Sequence, residues 1–559
     1  MSGAPFSLLL AAALAASSAA PAGQGRGPSP LEAAAVNRIA EVQVATPATG
    51  AHAEIVTPSG ATYRLPAFPL AGGAAVRFRP REPGLHRWRL LAADGPAARE
   101  LARGEVMAED VGASGQVLAR GGRLETEDGR PFHPLGENRF NVYDPAWSDG
   151  LSPEAYLARM ADYGMNTVRV FVFTACGRAG APAKPGCLEP ALGRFDEPAA
   201  ARYDEIFSAA ERHGLKVVLS IFAIGFTPGD QWKGWEENPY ASVRGGPAAS
   251  PAAFFSSAAA REAARRRLRY VLGRWAASPA LLSVDLLNEP EWDGTVDEDL
   301  WIPWAQDLAR TWRSEDPYQH PITLGPVGLH WNVKRDERAW WASDACDIVQ
   351  WHRYGKDVYD VHDLAAALVS TVRDTARYGK PVLLGEFAWG GEAKPAYDHT
   401  HVGLWATTFA GAGVLAHSAP VFAIDSDEPM TPERGRHFRV LAAFLRRAEA
   451  RGPLAPAPDP EASVPGLRAL ALAGPSTVAL WLHGPRAGYG GTVRGASVAL
   501  RGLAPGRWRI TWLDDASGAE LAVEERALGE DPRLTAPPFA RHVAALLERA
   551  GDDAPRSRR

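Results

Sequence analysis

In the central part of the chain, apolar positions form short continuous runs, and longer stretches between these runs show helical periodicity. Short continuous runs are typical of parallel strands that are buried on both faces, and the stretches between them predict helices. We therefore predict an α/β fold with a (β/α)8 barrel over residues 120–450. The eight predicted strands are Phe132–Leu135, Thr167–Phe173, Lys216–Ile221, Leu282–Leu287, Ile322–Leu324, Asp347–Gln350, Val382–Leu384 and Val414–Ala416.

Helical stretches separate these strands along most of the region. A doubly wound sheet is the alternative arrangement, but it usually has fewer strands and a glycine-rich phosphate turn after the first strand. No such turn follows Leu135, so the barrel is favoured. The predicted helices are Pro153–Tyr163, Ala200–His213, Ala258–Trp275, Asp299–Ser314, Val361–Tyr378 and His401–Ala410.

Short alternating runs broken by glycine and proline flank the barrel on both sides. Alternation with a period of two predicts half-buried strands of antiparallel sheets. We predict an N-terminal β-sandwich over residues 35–112 and a C-terminal β-sandwich over residues 461–550. The proline-rich stretch Pro453–Pro460 predicts a stiff linker before the second sandwich.

Composition narrows the range of partners. Hydrophobic residues make up 46% of the chain and charged residues 22%, which is typical of globular proteins and not of disordered ones. The net charge of −5 is small, and the basic runs are short, so no nucleic-acid partner is indicated.

Residues 1–22 have a short apolar core followed by small residues, a pattern that predicts a signal peptide and a secreted or periplasmic protein. No other apolar run reaches the roughly 20 residues that a membrane span needs. Cys176 and Cys187 share one loop and are close enough to form a disulfide, whereas Cys346 is expected to be a buried thiol. Nothing resembles a metal-ligand spacing, so we predict no cofactor and no metal.

Two glutamates stand where apolar strands give way to loops. Glu289 lies in the run Leu-Leu-Asn-Glu-Pro, and Glu386 lies in Val-Leu-Leu-Gly-Glu-Phe. A carboxylate in such a place is costly to bury unless it is paired or used. The sequence separation between them, 386 − 289 = 97 residues, accommodates three strand–helix units and would bring both to one rim of a barrel. Paired carboxylates on that rim suit the cleavage of glycosidic bonds.

The same motifs resemble clan A of the glycoside hydrolases, nearest to the cellulase-like family five. Other positions agree with the family pattern: Arg169 on strand two, Asn288 directly before the first glutamate, and His352 with Tyr354 at the end of strand six. Residues 35–112 resemble the β-sandwich that precedes a bacterial subset of these barrels. In that subset a Gly-Glu-Asn turn opens the barrel, as Gly136, Glu137 and Asn138 do here.

This resemblance implies a cofactor-free, retaining hydrolase that acts on a β-linked polysaccharide or oligosaccharide. Glu386 would be the nucleophile, supported by Arg169 and Tyr354, and Glu289 would be the general acid and base. Asn288 would donate to the sugar 2-hydroxyl. His352 would orient either the substrate or Glu289.

Several further residues have two interpretations each. Trp389 and Trp292 follow the two glutamates, where their rings either stack on a sugar or pack beneath a loop. Glu137 and Asn138 either support the site or shape the first loop. The tryptophan that the clan usually carries on strand eight is absent, so Trp389 or His417 replaces it, or the sugar binds differently.

Three functions remain open at this point. The first is a polysaccharide-cleaving enzyme similar to cellulases or mannanases. The second is an exo-acting β-glycosidase that acts on short oligosaccharides. The third is a carbohydrate-binding protein without catalysis on a degenerate barrel.

Overall fold

A computed structural model describes most of the chain. The described residues are 32–45, 50–92, 98–145, 148–177, 183–223, 225–226, 234–290, 296–326, 338–355, 361–389, 398–417, 430–484 and 491–551. The predicted signal peptide, residues 1–22, lies outside them.

Eight strands at the N-terminal end form two β-sheets, with strand orders β1-β8-β7-β3-β4 and β2-β6-β5. Alternate residues of β3, such as Ala53 and Ile55, are fully buried, as the period-two pattern predicts. The sheets are anchored to the barrel, since Arg77 donates to Asp204 at 2.7 Å. The strands are β1 Glu32–Ala35, β2 Ala40–Val44, β3 His52–Val56, β4 Thr62–Pro66, β5 Phe68–Leu70, β6 Gly73–Phe78, β7 Gly84–Leu91 and β8 Glu100–Glu109.

A hairpin that the sequence pattern did not reveal closes one end of the barrel. Strand β9 (Val117–Arg120) pairs with β10 (Arg123–Thr126) in antiparallel fashion. Val117 and Leu124 from this hairpin pack against apolar side chains of the barrel strands, including Leu282. The hairpin therefore plugs the barrel mouth opposite the carboxyl ends of the strands.

Eight strands, β11 to β18, form the predicted (β/α)8 barrel, in the order β15-β14-β13-β12-β11-β18-β17-β16. Every described ladder between neighbours is parallel. Between β15 and β16 the backbone N–H of Asp347 donates to the carbonyl of Ile322 at 2.8 Å. The strands are β11 Leu135–Asn138, β12 Thr167–Phe173, β13 Lys216–Ala223, β14 Leu281–Asn288, β15 Ile322–Gly325, β16 Val349–Gly355, β17 Val382–Trp389 and β18 Gly413–His417.

The first barrel strand begins later than predicted. The sequence placed it at Phe132–Leu135, but β11 begins at Leu135, directly after Pro134. Proline has no N–H to give to a central ladder, so the strand can form only beyond it. The interpretation of residues 136–138 as a turn was therefore wrong, because they are part of β11.

Helices cover the outside of the barrel. The predicted segment Ala258–Trp275 has the bounds of α4, and five other predicted helices differ from the structure by a few residues at their ends. The pattern missed α3, α6 and α9. The helices are α1 Pro153–Asp162, α2 Glu197–His213, α3 Pro251–Ser256, α4 Ala258–Trp275, α5 Glu298–Glu315, α6 Arg338–Ala342, α7 Val361–Ala376, α8 Asp398–Phe409 and α9 Pro432–Ala448.

The C-terminal strands form two more sheets, with strand orders β19-β21-β22-β27-β24-β25 and β20-β23-β26. The linker prediction was wrong in part, because β19, inside Pro453–Pro460, pairs with β21. Proline is tolerated there because β19 is an edge strand. The strands are β19 Ala455–Pro456, β20 Glu461–Ala462, β21 Arg468–Ala473, β22 Thr477–His483, β23 Ser497–Ala499, β24 Gly506–Leu513, β25 Glu520–Leu528, β26 Arg533–Thr535 and β27 His542–Arg549.

One hydrophobic core runs through the three parts of the chain. It begins at N-terminal residues such as Ile55, continues through the barrel helices and reaches Trp481 on β22. A second, smaller core lies within the C-terminal sheets and includes Trp508 and Leu534. Among the described helices, none has the length and apolar character that crossing a bilayer requires.

The loop after β12 contains the disulfide between Cys176 and Cys187. Beside it, the buried carboxylate of Glu189 accepts from the Tyr240 hydroxyl at 2.9 Å and lies 3.5 Å from Arg267. These contacts hold the loop against the barrel. Cys346 is a buried free thiol, as expected.

Candidate active site

Six of the predicted site residues meet at the carboxyl ends of the barrel strands. Strand register brings Asn138 beside Arg169 and His352 beside Glu386. Glu289 follows the last residue of β14. The carboxyl ends of parallel strands are where barrel enzymes carry their active sites.

Arg169 links the polar side chains of this rim. Its side chain is fully buried, and it donates to Glu386 at 2.5 Å, to Asn288 at 2.8 Å and to Asn138 at 3.1 Å. It also donates to Asp285 through Nε at 2.9 Å and through Nη2 at 2.5 Å. Burial alone would lower the pKa of Arg169, but the carboxylates of Asp285 and Glu386 raise it. One buried cation is thus shared by two carboxylates.

Glu289 occupies an unusual backbone conformation. Its φ is +46°, in the left-handed region that residues other than glycine rarely adopt. Its N–H donates to the carbonyl of Gly325 at 2.7 Å, which ties the loop to the next strand. Strain of this kind persists where the surrounding structure enforces it, and it is common at functional sites.

The two glutamates lie close together, with His352 between them. Glu289 shares a hydrogen bond of 2.6 Å with Nδ1 of His352, and the same nitrogen lies 3.7 Å from Glu386. One oxygen of each glutamate and a ring nitrogen of His352 all lie within 4.8 Å of one another. The side chains of Glu289 and Glu386 are 7% and 6% exposed, so both are largely shielded from water yet reachable.

Asp285 is a site residue that sequence reasoning missed. It holds Arg169 from the side opposite Glu386, and it also accepts from Gln350 at 3.3 Å and from the N–H of Gly325 at 3.2 Å. A signal was present, because Asp285 is a charged residue inside the apolar run Leu281–Asn288. A charge in a buried strand needs a partner.

Gly325 shows how tightly this rim is packed. A Cβ at that position would lie 2.7 Å from His352 and 2.9 Å from Arg169. Only glycine leaves room for both side chains at this point of β15.

Glu137 does not lie in this cluster. On β11 its side chain points to the helices, where it accepts from Arg434 at 2.6 Å and from the Tyr156 hydroxyl at 2.6 Å. Side chains alternate along a strand, so Asn138 faces Arg169 while Glu137 faces α1 and α9. Of the two interpretations given for Glu137, these contacts favour the structural one.

The roles of the remaining predicted site residues stay predictions. Trp292 lies outside the described residues. Tyr354, Trp389 and His417 lie at the ends of β16, β17 and β18, where the structure describes only their backbone.

The ligand atoms of Glu289, His352 and Glu386 lie close enough together to hold a metal ion. Arg169, however, already places a positive charge on Glu386. A second cation at that carboxylate would be repelled at short range. Acid–base and nucleophilic roles therefore fit this cluster better than metal binding.

Comparison with known proteins gives a family. The family model described as cellulase, glycosyl hydrolase family 5, matches residues 126–415, just over half of the chain. Mannan endo-1,4-beta-mannosidase 2 of Oryza sativa subsp. japonica is 25% identical over 236 residues, which cover 40% of this chain and 50% of the rice protein. The chain thus spans about half the length of this curated relative.

Solved structures show the same architecture. A candidate glycoside hydrolase from Bacteroides vulgatus ATCC 8482 aligns with a TM-score of 0.65 at 15% identity, over 92% of this chain and 100% of that one. A family 5 glycoside hydrolase from the same strain aligns with a TM-score of 0.51 at 13% identity, over 80% and 95%. At these identities the likeness concerns the fold alone.

Proposed function

The chain belongs to glycosyl hydrolase family 5, and from that premise we propose that it is a retaining β-glycoside hydrolase similar to cellulases and mannanases. The observation that supports this most directly is the approach of Glu289 and Glu386 to within 4.8 Å. Retaining enzymes hold their two carboxyl groups about 5 Å apart, whereas inverting enzymes need room for a water between them.

In the first step Glu386 attacks the anomeric carbon and forms a glycosyl-enzyme. The contact with Arg169 at 2.5 Å holds the carboxylate of Glu386 in position for this attack. Glu289 gives its proton to the leaving oxygen.

In the second step Glu289 takes a proton from water, and the resulting hydroxide equivalent displaces Glu386 from the sugar. The hydrogen bond of 2.6 Å to His352 supports a role for His352 in orienting Glu289. Asn288, held by Arg169, remains the candidate donor to the sugar 2-hydroxyl.

We propose β-1,4-linked mannan as the first substrate to test, because the curated relative named above is a mannan endo-1,4-β-mannosidase. Glucomannan, cellulose and short aryl β-glycosides complete a panel that separates internal cleavage from release of terminal sugars. Product lengths over time distinguish the two modes. Binding without hydrolysis of any member would favour the carbohydrate-binding alternative.

The variant Glu386→Ala tests the mechanism on any substrate that the wild-type protein cleaves. We expect turnover to fall by about 10⁴-fold or more, with added azide restoring a product of inverted configuration. Glu137→Gln is the matched control, because Glu137 is also a buried glutamate paired with an arginine but lies outside the site. Wild-type turnover in Glu386→Ala would exclude Glu386 as the nucleophile.

We also propose that the protein is secreted or periplasmic. The disulfide between Cys176 and Cys187 supports this, because disulfides persist mainly in oxidising compartments. N-terminal sequencing of protein recovered outside the cytoplasm tests the proposal, with cleavage expected after Ala20 or Ala22.

A further inference from the structure

Four histidines and an aspartate converge where the C-terminal sheets meet the barrel. His401 is on α8, His437 is on α9, and His483 and His542 are on the neighbouring strands β22 and β27. Asp515 follows β24. We refer to these five residues as the histidine cluster. The chain has 14 histidines in all, so more than a quarter of them gather at this one place.

Asp515 is the centre of the cluster. Its Oδ2 lies 3.1 Å from Nε2 of His401, and its Oδ1 lies 2.6 Å from Nδ1 of His542. The potential ligand atoms of these three residues all lie within 4.8 Å of one another. The rings of His401 and His542 stack with their centroids 4.0 Å apart.

Neighbouring side chains orient the three residues His401, Asp515 and His542. The indole N–H of Trp481 donates to Oδ2 of Asp515 at 2.6 Å. Nδ1 of His401 lies 3.1 Å from Nδ1 of His437. At this distance Nδ1 of His437 can accept a hydrogen bond from the N–H of His401. A ligand histidine typically donates its second ring N–H in this way.

His483 provides a second, independent observation. It is fully buried, and neither of its ring nitrogens has a hydrogen-bond partner among the described residues. In the pairing of β22 with β27, His483 lies directly opposite His542. A buried imidazole without partners is unfavourable unless something binds it.

We propose that the histidine cluster is a binding site for a zinc-class divalent ion that joins the barrel to the C-terminal sheets. His401, Asp515 and His542 are its ligands, and His483 is the imidazole placed beside them. Two imidazole nitrogens and a carboxylate suit Zn²⁺ and its neighbours in the first transition row, whereas Ca²⁺ and Mg²⁺ require oxygen ligands.

This site is independent of the proposed hydrolase activity. The ligands come from α8 on the barrel side and from β27 and the segment after β24 on the sheet side. An ion here would therefore link two parts of the chain that are far apart in sequence. We therefore expect the bound ion to raise the stability of the folded protein.

Calorimetric titration of the chelator-stripped, full-length protein with Zn²⁺ tests the proposal. We expect one ion per chain with a dissociation constant below about 1 μM, and a rise in Tm that a chelator reverses. His401→Ala and His542→Ala should each weaken binding by about 100-fold or more. His213→Ala is the matched control, because His213 also contacts a carboxylate, Glu154 at 2.7 Å, but lies outside the cluster.

The active-site glutamates are the other group that could take the ion. The variant Glu386→Gln removes one of the three possible ligands of that group, so unchanged binding in the same titration assigns the ion to the histidine cluster. Binding lost in Glu386→Gln but retained in His401→Ala and His542→Ala would overturn the proposal. So would wild-type binding weaker than about 100 μM.

A measurement on the unmodified chain covers the case in which the variants fail to fold. Cobalt added to the stripped protein should give the intense visible absorption of a four- or five-coordinate site, and X-ray absorption should show imidazole ligands. The weak spectrum of hydrated six-coordinate cobalt would refute the site.

Discussion

Replacing Asp285 by asparagine tests whether the position of Arg169 matters for turnover. The substitution keeps the shape of the side chain and removes its charge. Asp285 now accepts two charge-assisted hydrogen bonds from Arg169, at 2.9 Å and 2.5 Å, in a fully buried setting. Bonds to charged groups contribute about 1.5–3 kcal/mol each, and an amide oxygen can retain one of them. We expect the free energy of unfolding to fall by about 3 kcal/mol.

The expected effect on catalysis follows from the contact between Arg169 and Glu386. In the variant, Glu386 and the two asparagines still hold the guanidinium, but the amide at position 285 retains at most one of the two bonds on the other side. A displacement of 1 Å near a reacting group can cost about 10²-fold in rate, so we expect kcat to fall by about that factor. KM should change by less than about threefold, because Asp285 is buried behind Arg169.

Steady-state kinetics and urea denaturation of the same preparation measure both effects. Asp204→Asn is the matched control, since Asp204 is partly buried and also accepts from two arginines, Arg77 and Arg274, away from the site. It should lose stability but keep kcat. Equal kcat in wild type and Asp285→Asn, or an equal loss in both variants, would refute the positioning role.

Three further predictions concern stability. Burial lowers the pKa of Lys216 to about 8 from 10.5, so the unfolded chain binds more protons than the folded chain between these pH values. The free energy of unfolding should therefore rise with pH there, by up to about 1.4 kcal/mol per pH unit more than in Lys216→Met, and parallel urea curves would contradict this. Cys176 and Cys187 are separated by 11 residues; replacing both by serine should cost about 3 kcal/mol in urea denaturation, and a smaller loss than about 1 kcal/mol would contradict the loop-closure argument. Glu137→Gln should lower stability by about 1–3 kcal/mol through its contact with Arg434 and leave kcat unchanged, whereas a tenfold lower kcat would return Glu137 to the site.

The barrel could be predicted because its strands are buried on both faces. Continuous apolar runs such as Thr167–Phe173 stand out from helical segments, and the structure has that strand at those residues. The hairpin of β9 and β10 could not be recognised, because two strands of four residues carry little periodicity. Pro134 and Pro456 caused opposite errors, since proline excludes a central strand but is compatible with an edge strand.

The site was predictable where sequence motifs coincide with strand ends. Arg169, Asn288, Glu289, His352 and Glu386 all lie on the rim where the barrel places them. Asp285 was overlooked because no motif includes it, although its charge in an apolar run was visible. The histidine cluster has no local spacing at all, because its members come from separate helices, strands and loops between residues 401 and 542.

The continuous core has a practical consequence for anyone who wishes to trim this protein to a minimal enzyme. A fragment limited to residues 126–415 would cut through β10, discard Val117 and Leu124 and omit α9. The underside of the barrel would then be open to water, and apolar surface would be exposed where Ile55 and Trp481 now complete the interior. Such a fragment is expected to aggregate during expression, so the smallest soluble unit should retain the sheets at both ends.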